Sequence, residues 1–293
     1  KSILLNPYER TFYINCAETC KFLGALDLSE KIYGFALLID DIDEIVLLSY
    51  ADVCFMRCEF QKSFKSYEKL VVLEKKKKGT NYIKKYCYKL IISNNLEKAK
   101  EILSQLTEEK DKIDVLYYKA LIKIEENHFN KALEFINECF KINKNFIVGY
   151  IALAIVLERQ GKFKEAIHNL KKVINVEKNN DLALRNLGII YSHIGNLDKA
   201  TIFLKRAIKI NPNDYETKFV LGQIQLYQKD FVEGWKNHES RWLCNNFKGK
   251  SFSSSKSKLT ELNKTKNTFL WSEQGIGDQI MYGSLLNEFS KMC

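Results

Sequence analysis

The apolar positions of this chain recur with two superposed periods. Within segments of about a dozen residues they return every three to four positions, which places them on one face of a helix. Over residues 181–214, Leu184, Leu187, Gly188 and Tyr191 make one such stripe, and Gly195 and Asn196 interrupt it. Ala200, Leu204, Ala207 and Ile208 make a second stripe, and Pro212 closes the segment because the residue before a proline is pushed out of the helical conformation. The pattern predicts two antiparallel helices joined by a tight turn.

The second period is 34 residues. Phe129, Phe163, Leu197 and Phe231 form one series at that offset, and Ala132, Ala166, Ala200 and Gly234 form another. Ala120, Ala154, Gly188 and Gly222 form a third. The small residues have a physical reason, since two helices approach closely only where the side chains at their crossing are small. Upstream the period persists in a slightly slipped frame, with Ala17 and Ala51, Leu26 and Phe60, Tyr33 and Tyr67, and Ser29 and Ser63 each 34 apart. Helix pairs are therefore expected at 10–43, 44–77, 80–112, 113–146, 147–180, 181–214 and 215–248. The third is degenerate, carrying Cys87, Leu96, Ala99 and Leu103, and in the seventh Lys218 and Lys229 replace apolar or small residues.

A 34-residue unit with Leu-Gly, Tyr, Ala, Ala and Pro at these places resembles the tetratricopeptide (TPR) repeat. The resemblance implies an all-α superhelix of about seven stacked helix pairs, because single pairs cannot bury their apolar faces alone. It also implies a scaffold that holds a protein or peptide partner on a concave face lined mainly by the first helix of each unit. In this frame the groove positions are Val148, Ile151, Ile155 and Glu158, then Leu182, Arg185, Ile189 and Ser192, then Glu216, Phe219, Gln223 and Leu226. The asparagine ladder of the nucleocytoplasmic O-GlcNAc transferases is not reproduced, since its positions read Tyr118, Ala152, Asn186 and Val220.

The periodicity ends after Trp242. Residues 249–266 read as a flexible Lys- and Ser-rich linker. Residues 267–293 then read as strand, glycine turn and helix, with an apolar run at Phe269, Leu270 and Trp271 followed by Glu273, Gln274, Gly275, Ile276, Gly277 and Asp278. Such a turn directs helix N-terminal amides towards an anion, but the third glycine of a dinucleotide fingerprint is replaced by Ile280. The strings Asp230-Phe231, Gly234-Trp235 and Glu239-x-Arg241-Trp242, together with Leu270 to Asp278, resemble bacterial TPR proteins that end in a glycosyltransferase-like domain. That domain is related to heptosyltransferases and has two Rossmann-like halves; His238 stands where the family more often has Tyr.

This second resemblance implies a role for Asp278 as the general base on an acceptor hydroxyl, with Glu273, Gln274, Gly275 and Gly277 as substrate-binding residues. Asp278 equally suits a carboxylate that only stabilises a helix start. The chain reaches Cys293 one strand and one helix into such a fold. The expectation is that it does not catalyse glycosyl transfer alone and carries no cofactor, a nucleotide-sugar donor belonging to a full-length parent.

Charge and cysteine usage narrow the partners. The formal net charge is +10, but only six of the 46 basic residues are Arg and the lysines alternate with acids, which predicts solvated helix faces and no nucleic-acid site. The longest uncharged run, 146–157, is shorter than the roughly 18 residues that span a bilayer, so no membrane span is expected. The eight cysteines form no Cys-x-x-Cys pair and the four histidines fall at different repeat positions, so no metal site is expected. With no secretory pattern at the start of the chain, although Lys1 is not an initiator Met, reduced thiols and a cytoplasmic location are expected.

Overall fold

A computed structural model of the protein describes residues 9–77, 79–107 and 109–244. The expected linker at 249–266 and strand-turn-helix unit at 267–293 lie outside the described residues, as do Glu273, Gln274, Gly275, Gly277 and Asp278. The described residues form fourteen α-helices and no strand. These are α1 (Arg10–Phe22) with α2 (Leu26–Ile39), α3 (Glu44–Met56) with α4 (Phe60–Lys76), and α5 (Asn81–Ile92) with α6 (Leu96–Leu103). There follow α7 (Lys112–Glu125) with α8 (Phe129–Ile142), and α9 (Ile147–Arg159) with α10 (Phe163–Val176). The last are α11 (Asp181–His193) with α12 (Leu197–Ile210), and α13 (Tyr215–Tyr227) with α14 (Phe231–His238). Short 3-10 turns, Glu109–Asp111 and Glu239–Leu243, precede α7 and follow α14.

One backbone device makes every pair. The first helix ends on a residue in the left-handed conformation: Gly24, Cys58, Asn94, Asn127, Gly161, Gly195 and Lys229, with φ between 59° and 83°. The next amide then bonds back to the carbonyl five residues earlier, from Ala25 to Cys20 through Asp230 to Gln225, at 2.8–2.9 Å in all seven turns. This is the Schellman closure, which satisfies carbonyls that the helix end would leave unpaired. The turn residues also explain the slipped frame. Their spacing is 34 except across the third pair, where it is 36 and then 33, because α4 is 17 residues long and α6 only 8.

Packing repeats with the turns. Each second helix packs on the first helix of its own pair and on the first helix of the next. From α5 to α13 the first helices also touch one another, whereas consecutive second helices share no comparable contact. The first helices are therefore the inner layer and the second helices the outer one. Fully buried Ala120, Ala132, Ala154, Ala166 and Ala200 sit at the crossings, with Leu170, Leu187 and Leu204 filling the space around them. Where an inner residue is Gly, the approach is closer still. A Cβ on Gly222 would lie 2.6 Å from the backbone nitrogen of His238 and 2.9 Å from the carbonyl carbon of Asn237.

Local caps register the helices. Asp43, Asn180, Asn196, Asp214 and Asp230 each accept a hydrogen bond from an amide in the first turn that follows. The third pair uses a different arrangement. The buried carboxylate of Glu74, near the end of α4, reaches the start of α5 and accepts from the amides of Asn81, Tyr82 and Ile83 at 2.6, 2.7 and 3.2 Å. That contact ties the irregular unit to its predecessor where the repeat pattern is weakest.

The superhelix brings its first and last pairs together. Tyr215 and Leu243 pack against the cluster formed by Ala17, Cys20, Tyr33 and Ala36, and the Asn213 side-chain amide donates to the carbonyl of Lys21 at 3.4 Å.

Because the Gly222 contact is with backbone, which has no rotamer to yield, Gly222→Ala is expected to cost about 1–3 kcal/mol. The check is urea unfolding followed by circular dichroism. An unchanged midpoint would mean that α13 and α14 do not approach as described.

Candidate functional site

From α5 to α13 the inner layer forms one continuous face, and one cluster of its charged residues lies near the end of the array. Arg185, from the middle of α11, lies 3.5 Å from a carboxylate oxygen of Asp214 and 3.7 Å from one of Glu216. Asp214 caps α13 through the Thr217 amide at 2.9 Å, which fixes it, and Glu216 lies in the first turn of the same helix. Glu216 keeps 43% of its side-chain exposure, so it faces an open space. Burial pushes the Glu216 carboxyl above its ordinary value; the Arg185 charge opposes the shift, and the carboxylates of Asp214 and Glu125 add to it.

Residues from distant pairs lie near the same cluster. Burial raises the Tyr88 phenol on α5, the charge of Arg185 opposes this, and Glu216, Asp181 and Asp214 reinforce it. Burial likewise pushes the Cys244 thiol up to about 12, with smaller contributions from Glu216, Cys58 and Asp214. Residues from the second, third, fourth, sixth and seventh pairs are thus within electrostatic reach of this cluster. The wall here is net acidic, with Glu125, Asp181, Asp214 and Glu216 against Arg185 and Lys218.

The expected groove residues do not form one surface. Ile189, Ser192 and Gln223 come together in an open depression between α11 and α13, with Val220 and Tyr227 beside them. Arg185 and Glu216 meet in the charged cluster, while Val148 and Phe219 are half-buried on the inner helices and the Phe219 ring lies 5.1 Å from that of His238. Glu158 receives the His193 ring nitrogen Nδ1 at 2.9 Å. Ile151, Ile155 and Leu182 are committed to the core between pairs, Ile151 being only 5% exposed. Leu226 turns away from the groove towards α14, where a Cβ on Gly234 would meet its Cδ2 at 2.9 Å. The third to sixth units have Ala at that position, and the missing methyl in the seventh gives Leu226 its place.

Sequence reasoning missed Tyr88, Cys58 and Cys244, which repeat spacing does not connect. It also missed an apolar depression at α6, α7 and α8, with a floor of Leu103, Leu106, Val115, Ile122 and Phe135 and a rim of Lys100, Lys119 and Lys123. Its signal was the eight-residue length of α6, which leaves the outer layer short at that point. Among the described residues no three His, Cys, Asp or Glu side chains form a metal-binding group, and no helix is long and apolar enough to cross a membrane.

Comparison with known proteins agrees with this architecture. The family of the N-terminal TPR repeats region of Psidin matches residues 118–221, from α7 into α13. No curated protein is measurably similar to the chain in sequence. Among solved structures, a tetratricopeptide repeat protein from Parabacteroides merdae superposes with a TM-score of 0.51 at 14% identity, covering 81% of this chain and 94% of its own. MamA from Desulfovibrio magneticus gives a TM-score of 0.40 at 17% identity over 54% of this chain and 89% of its own. YrrB, described as a TPR protein with an unusual peptide-binding site, gives 0.33 at 18% identity over 79% and 97%. The described chain is a TPR-like α/α superhelix, and the first of these structures establishes the fold alone.

The raised Glu216 carboxyl carries a pH signature. Its folded form holds the proton more tightly than the unfolded chain, so the folded state loses stability as pH rises from the ordinary value of 4.5 through the raised one. Glu216→Gln is expected to raise the thermal midpoint at pH 7–8 and to leave it unchanged below about pH 4. Calorimetry across that range checks it, and a variant less stable than the parent at pH 8 would contradict the assignment.

Proposed function

We propose that the chain is a binding scaffold that holds an extended protein segment along the concave face of its superhelix. The observation that carries this reading is the meeting of Ile189, Ser192 and Gln223 in one open depression beside the Arg185–Asp214–Glu216 cluster. An apolar floor next to fixed carboxylates suits a segment that buries one or two apolar side chains and places a Lys or Arg against Glu216 and Asp214. The net acidic wall disfavours a phosphorylated or acidic segment by like-charge repulsion. Direct recognition of nucleic acid is disfavoured on the same ground, since phosphate contacts need a cationic face.

A second reading follows from the sequence beyond the described residues. The string Glu273-Gln274-Gly275-Ile276-Gly277-Asp278 supports a parent protein that transfers a sugar from a nucleotide-sugar donor to an acceptor chosen by the repeats. In that reading Asp278 takes the acceptor proton, and Glu273, Gln274, Gly275 and Gly277 border the substrate. Turnover of a nucleoside-diphosphate sugar by the parent protein, compared with its Asp278→Ala variant, tests it; equal rates remove Asp278 from the mechanism.

Selection of a phage-displayed library of random extended peptides on the chain tests the first reading. Peptides so obtained are expected to be enriched in Lys or Arg and to lose at least tenfold in affinity for Ile189→Asp and Glu216→Lys, each about 1.4 kcal/mol or more. Ile202→Asp, on the exposed face of α12, is expected to bind them as the parent does. Equal binding by all three variants would place recognition elsewhere and overturn the reading.

A further inference from the structure

The outer face of α2 carries an apolar stripe that nothing in the described chain covers. Leu28, Phe35 and Leu38 are 51%, 56% and 83% exposed, and Ile42 and Ile45, in the turn that follows and at the start of α3, are 59% and 67% exposed. With exposed Lys31 the positions on α2 run 28, 31, 35 and 38, in steps of three and four, and Ile42 and Ile45 lie beyond its end. That spacing keeps side chains along one seam and is how a helix meets another helix side by side. Scattered exposed apolar residues are ordinary, but a run of this regularity marks an interaction surface.

Gly34 says what kind of surface it is. It lies inside α2, where glycine costs about 1 kcal/mol relative to alanine. No neighbour in the described chain requires it, because a Cβ built there meets nothing within 4 Å. Gly149, Gly188, Gly222 and Gly234 each lie against a neighbour, so among the described residues Gly34 is the glycine inside a helix left without an internal reason. On a helix, residues at i, i+3, i+4 and i+7 frame the hole that receives a side chain from a facing helix. Lys31, Gly34, Phe35 and Leu38 are such a set, and the glycine deepens it.

We propose that α2 is the contact surface of a homodimer, in which Phe35 of each copy enters the hole at Gly34 of the other across a two-fold axis. The occupant is a second copy because knob and hole sit side by side on one helix, the self-complementarity that an isologous contact requires. Antiparallel pairing about that point also brings Lys31, which makes no ion pair with a described residue, towards the partner's Leu38–Asp41 end. There Asp41 is 73% exposed and can share its Lys69 contact. The stripe lies on the outer layer of the first pair, so the dimer leaves the concave face open, and the inference is independent of what that face binds.

The test is sedimentation velocity of the full chain from about 1 to 100 µM. The parent is expected to pass from monomer to dimer in that range. Phe35→Glu with Leu38→Glu is expected to remain monomeric throughout with an unchanged thermal midpoint, since both side chains are already exposed. Gly34→Leu fills the hole while favouring the helix, so it is expected to weaken the dimer at least tenfold and to raise the midpoint. A monomeric parent at 100 µM overturns the proposal, and so does a dimer that persists in the double variant or in Gly34→Leu. A monomeric parent that co-sediments with anionic phospholipid vesicles through the same two residues would assign the stripe to a lipid surface instead.

Discussion

Everything in this molecule follows from how closely two helices can lie when the residues between them are small. A lone helix pair of about thirty residues has too little interior to offset the entropy of ordering its backbone. Alanines and glycines at the crossings let the backbones approach, and the flanking leucines then fill the remaining space on both sides of each helix. Each pair thereby presents a second apolar face that only another pair can cover, so the fold propagates as a stack. The left-handed turn residue sets the hand and separation of each pair. The stack sets the inner and outer layers, and the inner layer forms the groove wall.

The constraint also explains where the regularity is relaxed. The third pair follows a long α4, ends in a short α6 and has Cys87 where the later first helices have Ala or Gly. Glu74 reaches over from α4 to cap α5, a polar contact taking over part of the alignment that packing gives elsewhere. The seventh pair uses Gly222 and Gly234 in place of alanines, which draws α14 onto α13 and lets Leu226 leave the groove side. Both departures lie next to surfaces of interest: the depression beside α6, and the carboxylates at the start of α13.

Much of this was legible in the amino-acid sequence because repeat packing is local. The 34-residue offset places Ala166 against its own pair and the next, so the inner and outer faces can be read from Phe163, Ala166 and Leu187 without coordinates. What the offset cannot encode is the rotation that accumulates from pair to pair. The approach of Lys21 to Asn213, and of Tyr88 to the Arg185 cluster, is the sum of many small angles and has no period of its own. The same limit put Leu226 in the groove by analogy, when one missing methyl at Gly234 decided its direction. Gly34 was silent for the opposite reason, since its role is visible only once every other neighbour is accounted for.

The account rests most directly on the first and last pairs meeting, because that contact brings the two ends of the array together. Pulsed electron spin resonance between labels at residues 22 and 212, with the native cysteines replaced, measures the closure in solution. A single short distance distribution, about 20–30 Å once the label linkers are included, is the expected result for side chains one helix diameter apart. A broad distribution centred beyond about 40 Å would mean that the array is open, with Tyr88 and Glu216 facing bulk solvent instead of each other.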